Sequence, residues 1–210
     1  MKKLVLFIAL CFAYIGADAQ NIREYIKTSP AELFVSVDSV GRAKMYDSML
    51  QGSAPSAFTI FGDTIKINTV NDNFASFSYS GTDVQVRNVG DMLVVSKTYG
   101  AESRESELYF YDYDWQLKSS WIYGTKESEM MPCDEAVLSV LVIKPDTMSA
   151  SDFEDLKLFF DPMFVVAELS ESTNELTLKP VCPLLSKEEK ERLQPVLKQK
   201  TFKWTNKTFK

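Results

Sequence analysis

Acidic and aromatic side chains carry whatever chemistry this chain has. None of its 210 residues is histidine, which removes the commonest general base and the commonest metal ligand. Ser–His–Asp and Cys–His nucleophilic sites and histidine-based zinc centres are therefore excluded. The sequence also lacks a Gly-x-Gly-x-x-Gly turn, a phosphate loop and a Gly-x-Ser-x-Gly elbow, so neither a cofactor nor a metal is expected. What remains is a set of carboxylates: Glu102, Glu105, Glu107, Asp112 and Asp114. Two acids can divide acid and base roles when their surroundings drive their pKa values apart, as in glycoside hydrolysis. The bland alternative is a row of solvated acids on hairpin rims. Asp112-Tyr113-Asp114 also hints at calcium, but the Gly and distal Glu of a calcium hand are missing.

The same region holds Leu108-Tyr109-Phe110-Tyr111-Asp112-Tyr113-Asp114-Trp115. In an extended chain Tyr109, Tyr111, Tyr113 and Trp115 share one face. Such a face stacks on sugar rings or anchors a protein partner, because each ring offers apolar area and a polar tip. Against this, the row could be core, or a turn at Asp112 to Asp114 could break it. Asp-Ser/Thr-apolar tripeptides mark Ser39, Ser48, Thr64 and Thr147 as O-glycan acceptors in exposed turns, although such pairs are also ordinary caps. Asn206-Lys207-Thr208 matches an N-glycan sequon, a pattern of low specificity.

Around these residues the sequence sets out its elements. Ser-x-x-Glu capping boxes at Ser29, Ser151 and Ser186 each predict a helix start, the first aided by Pro30. Asp38 predicts a cap for a helix through Leu50, closed by Gly52, with Val40, Met45 and Met49 inward. From Ser56 to Tyr123 the period becomes two, which predicts strands. Phe58 and Ile60 alternate before Gly62-Asp63, and Ile65 and Ile67 resume after it. Asn71 to Asn73, Ser80-Gly81-Thr82 and Gly90-Asp91 separate the later runs. Glu135 to Lys144 is ambiguous between strand and helix. A helix from Asp152 to Phe160 follows, then a hairpin with arms Met163 to Leu169 and Leu176 to Lys179. A last helix from Lys187 breaks near Pro195, before a terminal strand at Phe202 and Trp204 turned at Thr205-Asn206. The order predicts an α+β fold: an antiparallel meander, curved, with N-terminal helices and a C-terminal helix-plus-hairpin packed on it.

Composition and targeting set the compartment. Lys2 and Lys3, the apolar run Leu4 to Ile15 and Ala17-Asp18-Ala19 read as a signal peptide over residues 1–19. The run is short of the roughly 20 residues that span a bilayer. Residues 20–210 are then one globular domain in the periplasm or outside a Gram-negative cell. Net charge is -6 over the whole chain, which argues against nucleic acid. The segment Lys187 to Lys210 is nonetheless basic, a solvated helix face followed by a lysine-guarded strand. Cys133 and Cys182 could form one disulfide in an oxidising compartment.

Several stretches resemble an uncharacterised family of small exported proteins from anaerobic Gram-negative gut bacteria, a domain of unknown function. They are Ser29-Pro30-Ala31-Glu32, Lys97-Thr98-Tyr99-Gly100, Asp161-Pro162 with the hairpin at Glu168 to Leu178, and Leu184 to Lys190 leading to Phe202-Lys203-Trp204. The resemblance implies lineage and compartment and no activity. The leading expectation is a non-catalytic envelope module that binds a partner protein, or an apolar or glycan ligand, through its sheet face. A histidine-free hydrolase with paired carboxylates and a structural scaffold are the competing readings.

Overall fold

The computed structural model describes residues 21–51 and 57–210. The signal segment and Gly52 lie outside them. The first helix, α1 (Ile22–Lys27), starts at Asn21, whose side chain accepts from the Arg23 N–H, and buries Ile22, Tyr25 and Ile26. The box at Ser29 makes only a 3-10 turn, Ala31–Phe34, with no side-chain cap. Ser29 is buried and its hydroxyl unpartnered, so it cannot act as the box requires. Helix α2 (Ser39–Gln51) is capped by Asp38, which accepts from the Gly41 N–H at 2.7 Å. Met45 and Met49 face inward as expected, but Val40 is exposed; Gly41 holds the inward place, where a Cβ would come 3.1 Å from the Phe58 carbonyl. Around Gly62 the chain turns as expected, yet Ala57, Thr59 and Ile65 are buried while Phe58 and Ile60 face out.

Strands β1 (Lys66–Val70), β2 (Phe74–Tyr79), β3 (Thr82–Val89), β4 (Met92–Tyr99), β5 (Glu105–Tyr111) and β6 (Leu117–Trp121) form the expected antiparallel meander, in sequence order. Ser80 and Gly81, both at positive φ, make the β2–β3 turn. Both faces of this sheet are covered, and β4 is therefore buried at every position but its last. One face places Phe77, Val86, Leu93, Val95 and Tyr111 against α1, α2 and the 3-10 turn. The other places Phe74, Val94, Leu108 and Phe110 against the second half of the chain.

That half contains α3 (Asp134–Leu141), α4 (Ala150–Lys157), the hairpin β7 (Phe164–Leu169) and β8 (Glu175–Val181), α5 (Lys187–Leu193), β9 (Lys200–Thr205) and β10 (Thr208–Phe209). Its four strands make a second antiparallel sheet in the order β10-β9-β8-β7. The ambiguous segment resolves as α3 followed by extended Val142, which pairs with Leu197. Helix α4 is capped by Ser149, not Ser151: the Ser149 hydroxyl accepts from the Asp152 N–H at 3.0 Å. The box at Ser186 forms in full, with Ser186 and Glu189 bonding each other's backbone N–H. Helix α5 stops two residues before Pro195, and Asn206-Lys207, both at positive φ, turn β9 into β10.

Strand β7 is an edge of its sheet, yet its inner groups are not left free. The Ser96 hydroxyl donates to the Ala167 carbonyl at 2.6 Å, and Ser106 Oγ accepts from the Ala167 N–H at 2.9 Å. Gln85 Oε1 accepts from the Leu169 N–H at 2.8 Å. Side chains of the meander thus replace the missing neighbour strand, which accounts for buried Ser96 and Ser106 in an apolar seam.

Candidate functional site

One roomy hollow follows from how α3 and α4 lie against the ends of β5 and β7. Helix α3 buries Val137 and Leu141 and leaves Leu138 on its open side, 38% exposed. Helix α4 buries Leu156 and leaves Phe153 partly covered; a 3-10 turn at Leu158–Phe160 then carries the chain through Asp161-Pro162 into β7. Between them opens a cleft of about 740 Å³, walled by Leu138, Val142, Phe153, Phe160, Met163 and Phe164. This volume lies within the roughly 300–1,000 Å³ of small-molecule sites.

Charge enters only at the rim, through Glu105, Glu135, Asp161 and Lys157, beside the turn Tyr123-Gly124-Thr125. Lys157 Nζ donates to Glu154 Oε1 at 2.8 Å and lies 5.2 Å from the centre of the Phe153 ring. Burial, and then the charge of Glu107, hold the Glu105 carboxyl above its ordinary pKa. Asp134 Oδ2 accepts from the Gly124 N–H at 2.8 Å, fixing the turn, while its Oδ1 is enclosed without a partner. Burial raises the Tyr123 hydroxyl, reinforced by Asp134 and Glu135. A second, smaller hollow of about 280 Å³ lies between Pro183, Leu185, Leu193 and Leu197, with Glu102 at its edge.

The five carboxylates of the sequence do not converge. Glu105 reaches the large cleft and Glu102 the small one. Glu107 accepts from Tyr99 and Tyr109 on the helix-covered face. Asp112 accepts from the Asp114 and Gln116 N–H groups and pairs with Lys118 at 2.6 Å, so it builds its own turn, and Asp114 points to solvent. Among the described residues no three Cys, Asp or Glu side chains gather as a metal cluster would.

That turn also breaks the aromatic row. Tyr111 is core, Tyr109 is half-buried, and Trp115, at positive φ, donates its Nε1 to the Tyr25 carbonyl at 3.1 Å. Tyr113 is the exposed member, stacked on Tyr25 and donating to Asn88 and the Gly90 carbonyl. The four rings form no single open face. Cys133 and Cys182 are both free thiols, the first exposed and the second buried. Of the glycan candidates, Ser39, Thr64 and Thr147 are exposed, whereas Ser48 is buried in α2 and is no turn residue.

Comparison with known proteins agrees with this architecture. The chain matches the family described as "Protein of unknown function (DUF3256)" over residues 14–209. It belongs to that family. A domain of an uncharacterised protein from Porphyromonas gingivalis W83 is similar in structure, with a TM-score of 0.68 and 16% identity over 91% of this chain and 99% of that one. At that identity the likeness concerns the fold of this DUF3256 member. No curated protein matches the chain, and no helix among the described residues is long and apolar enough to cross a membrane.

Sequence reasoning missed the cleft itself. Glu135, Leu138, Phe153, Phe160 and Asp161 come from three separate segments, and their convergence depends on how α3 and α4 dock. The one local signal was Glu135 to Lys144, too apolar for a solvated helix and too short for a buried one.

Proposed function

We propose that this DUF3256 member is a non-catalytic binding module of the cell envelope whose ligand site is the cleft between α3, α4 and the start of β7. The observation that carries the reading is a hollow of about 740 Å³ with Leu138, Val142, Phe153, Phe160, Met163 and Phe164 as its walls. Walls of this kind gain by excluding water from an apolar guest. The signal-peptide pattern at residues 1–19 supports the compartment. Purification from the native envelope followed by mass spectrometry under native and denaturing conditions tests it. Extra mass that disappears on denaturation is expected. Bare protein in both spectra, together with no binding of apolar probes, would overturn the reading.

One observation favours the competing hydrolase. Glu105 and Glu135 line the same cleft, and burial raises the Glu105 carboxyl, the direction a general acid needs. Under that reading Glu105→Gln abolishes turnover of a glycoside or ester probe without loss of probe binding.

A further inference from the structure

We infer that the ligand of this cleft is a small amphiphile bearing a protonated amine. Its apolar body lies against Leu138, Val142, Phe153 and Phe160, and its cationic head meets Glu105, Glu135 and Asp161. This rests on the binding reading above and adds the sign of the ligand's charge.

The rim carries three carboxylates against one ammonium, Lys157, and that ammonium is already matched by Glu154 at 2.8 Å. Among the described residues Glu105, Glu135 and Asp161 take part in none of the ion pairs. Among the described residues no ion pair compensates their charge. Asp134 stands behind the Tyr123-Gly124-Thr125 wall, its enclosed Oδ1 adding negative potential from the same side. Low-dielectric walls concentrate that potential in the hollow.

A cationic head offsets the negative charge lining the cleft, and it relieves Glu105 in particular, which faces the charge of Glu107. A carboxylate or sulfate head would meet three like charges in the same place, so the rim selects against anionic amphiphiles as strongly as it selects for amines. A glycan fits less well, because the walls offer alkyl and phenyl groups but few hydrogen-bonding partners for its many hydroxyls. The volume suits a small molecule better than a folded partner.

Isothermal titration calorimetry of the purified protein with decylamine, decanol and decanoate, at neutral pH and below micellar concentration, tests the inference. Decylammonium is expected to bind at least about tenfold more tightly than decanoate, with decanol between, and the preference should shrink to roughly threefold or less between about 20 and 200 mM salt. A Glu135→Gln/Asp161→Asn double variant should reduce the preference in the same way while decanol affinity stays unchanged. Equal binding of all three probes, tighter binding of decanoate, or a preference that survives both salt and the double variant would overturn the charge inference and leave the apolar site standing. Binding of none of the three would overturn the proposed function itself. The salt series needs no variant, so a misfolded mutant does not remove the test.

Discussion

A Cβ placed on Gly90 would stand 2.7 Å from Nε1 of Trp204. Gly90 turns β3 into β4 at φ 64°, and the indole of β9 lies directly on it, stacked 6.2 Å from Phe110 and edge-on to Phe209 at 5.0 Å. The two sheets meet here with no room for a side chain. Gly90→Ala is therefore expected to cost about 2–4 kcal/mol, combining left-handed strain with overpacking. Gly81→Ala, at φ 73° with nothing within 4 Å of its Cβ, supplies the strain alone, about 1–2 kcal/mol. Urea midpoints of the two variants check the difference; equal losses would mean that Trp204 moves aside freely.

Ser106→Ala removes the acceptor for the Ala167 N–H in a fully buried seam. Leaving that donor unpaired is expected to cost about 1–3 kcal/mol. Ser119→Ala, which breaks a half-buried hydroxyl pair with Ser128, should cost less than about 1 kcal/mol. Thermal unfolding of both variants in one buffer makes the comparison.

Stability should fall steeply in alkali. Burial pushes the Tyr79 hydroxyl up to about 12, and it also raises Tyr99, Tyr109 and Tyr111. These groups keep their protons in the folded state after the unfolded chain has lost them, so folding weakens as pH rises above the ordinary tyrosine value near 10. Lys97 acts in the opposite sense below that range. Burial lowers its pKa, so the folded state is relieved as pH rises through the window between its lowered and ordinary values. Absorbance titration of tyrosinate alongside circular dichroism checks the sign. The buried tyrosines should ionise only together with loss of ellipticity.

The two thiols of the described residues should separate cleanly by rate. Cys133 is exposed, whereas Cys182 is buried and its thiol is raised by that burial. A thiol reagent at neutral pH is expected to label Cys133 rapidly and Cys182 only on unfolding, read as one fast equivalent and one slow. Two equivalents at the same rate would place Cys182 in solvent.

Much of the fold could be read before the structure because its signals are local. The meander follows from period-two alternation interrupted by Ser80-Gly81 and Gly90-Asp91, and α5 from the box at Ser186, where cap and partner are three residues apart. The failures share a cause. Ser29 matches the same box, but burial of its hydroxyl overrides the pattern. Val40 fits a helical stripe, but Gly41 lets the chain at Phe58 approach and turns that stripe around. The aromatic row satisfied an alternation rule until Asp112 captured two backbone N–H groups. The cleft left only the faint local trace of Glu135 to Lys144, because its walls and rim are assembled from β5, the β6–α3 turn, α3, α4 and β7.

The serine and glutamine side chains that close the inner edge of β7 also make the second sheet depend on the first. Gln85, Ser96 and Ser106 belong to three different strands, and they present acceptors and a donor at the right spacing only once β3, β4 and β5 are in register. Until then the hairpin has no template, and its edge is open to pairing with another chain. The meander is thus a mould for the second sheet, and the cleft exists only where β7 is seated on it.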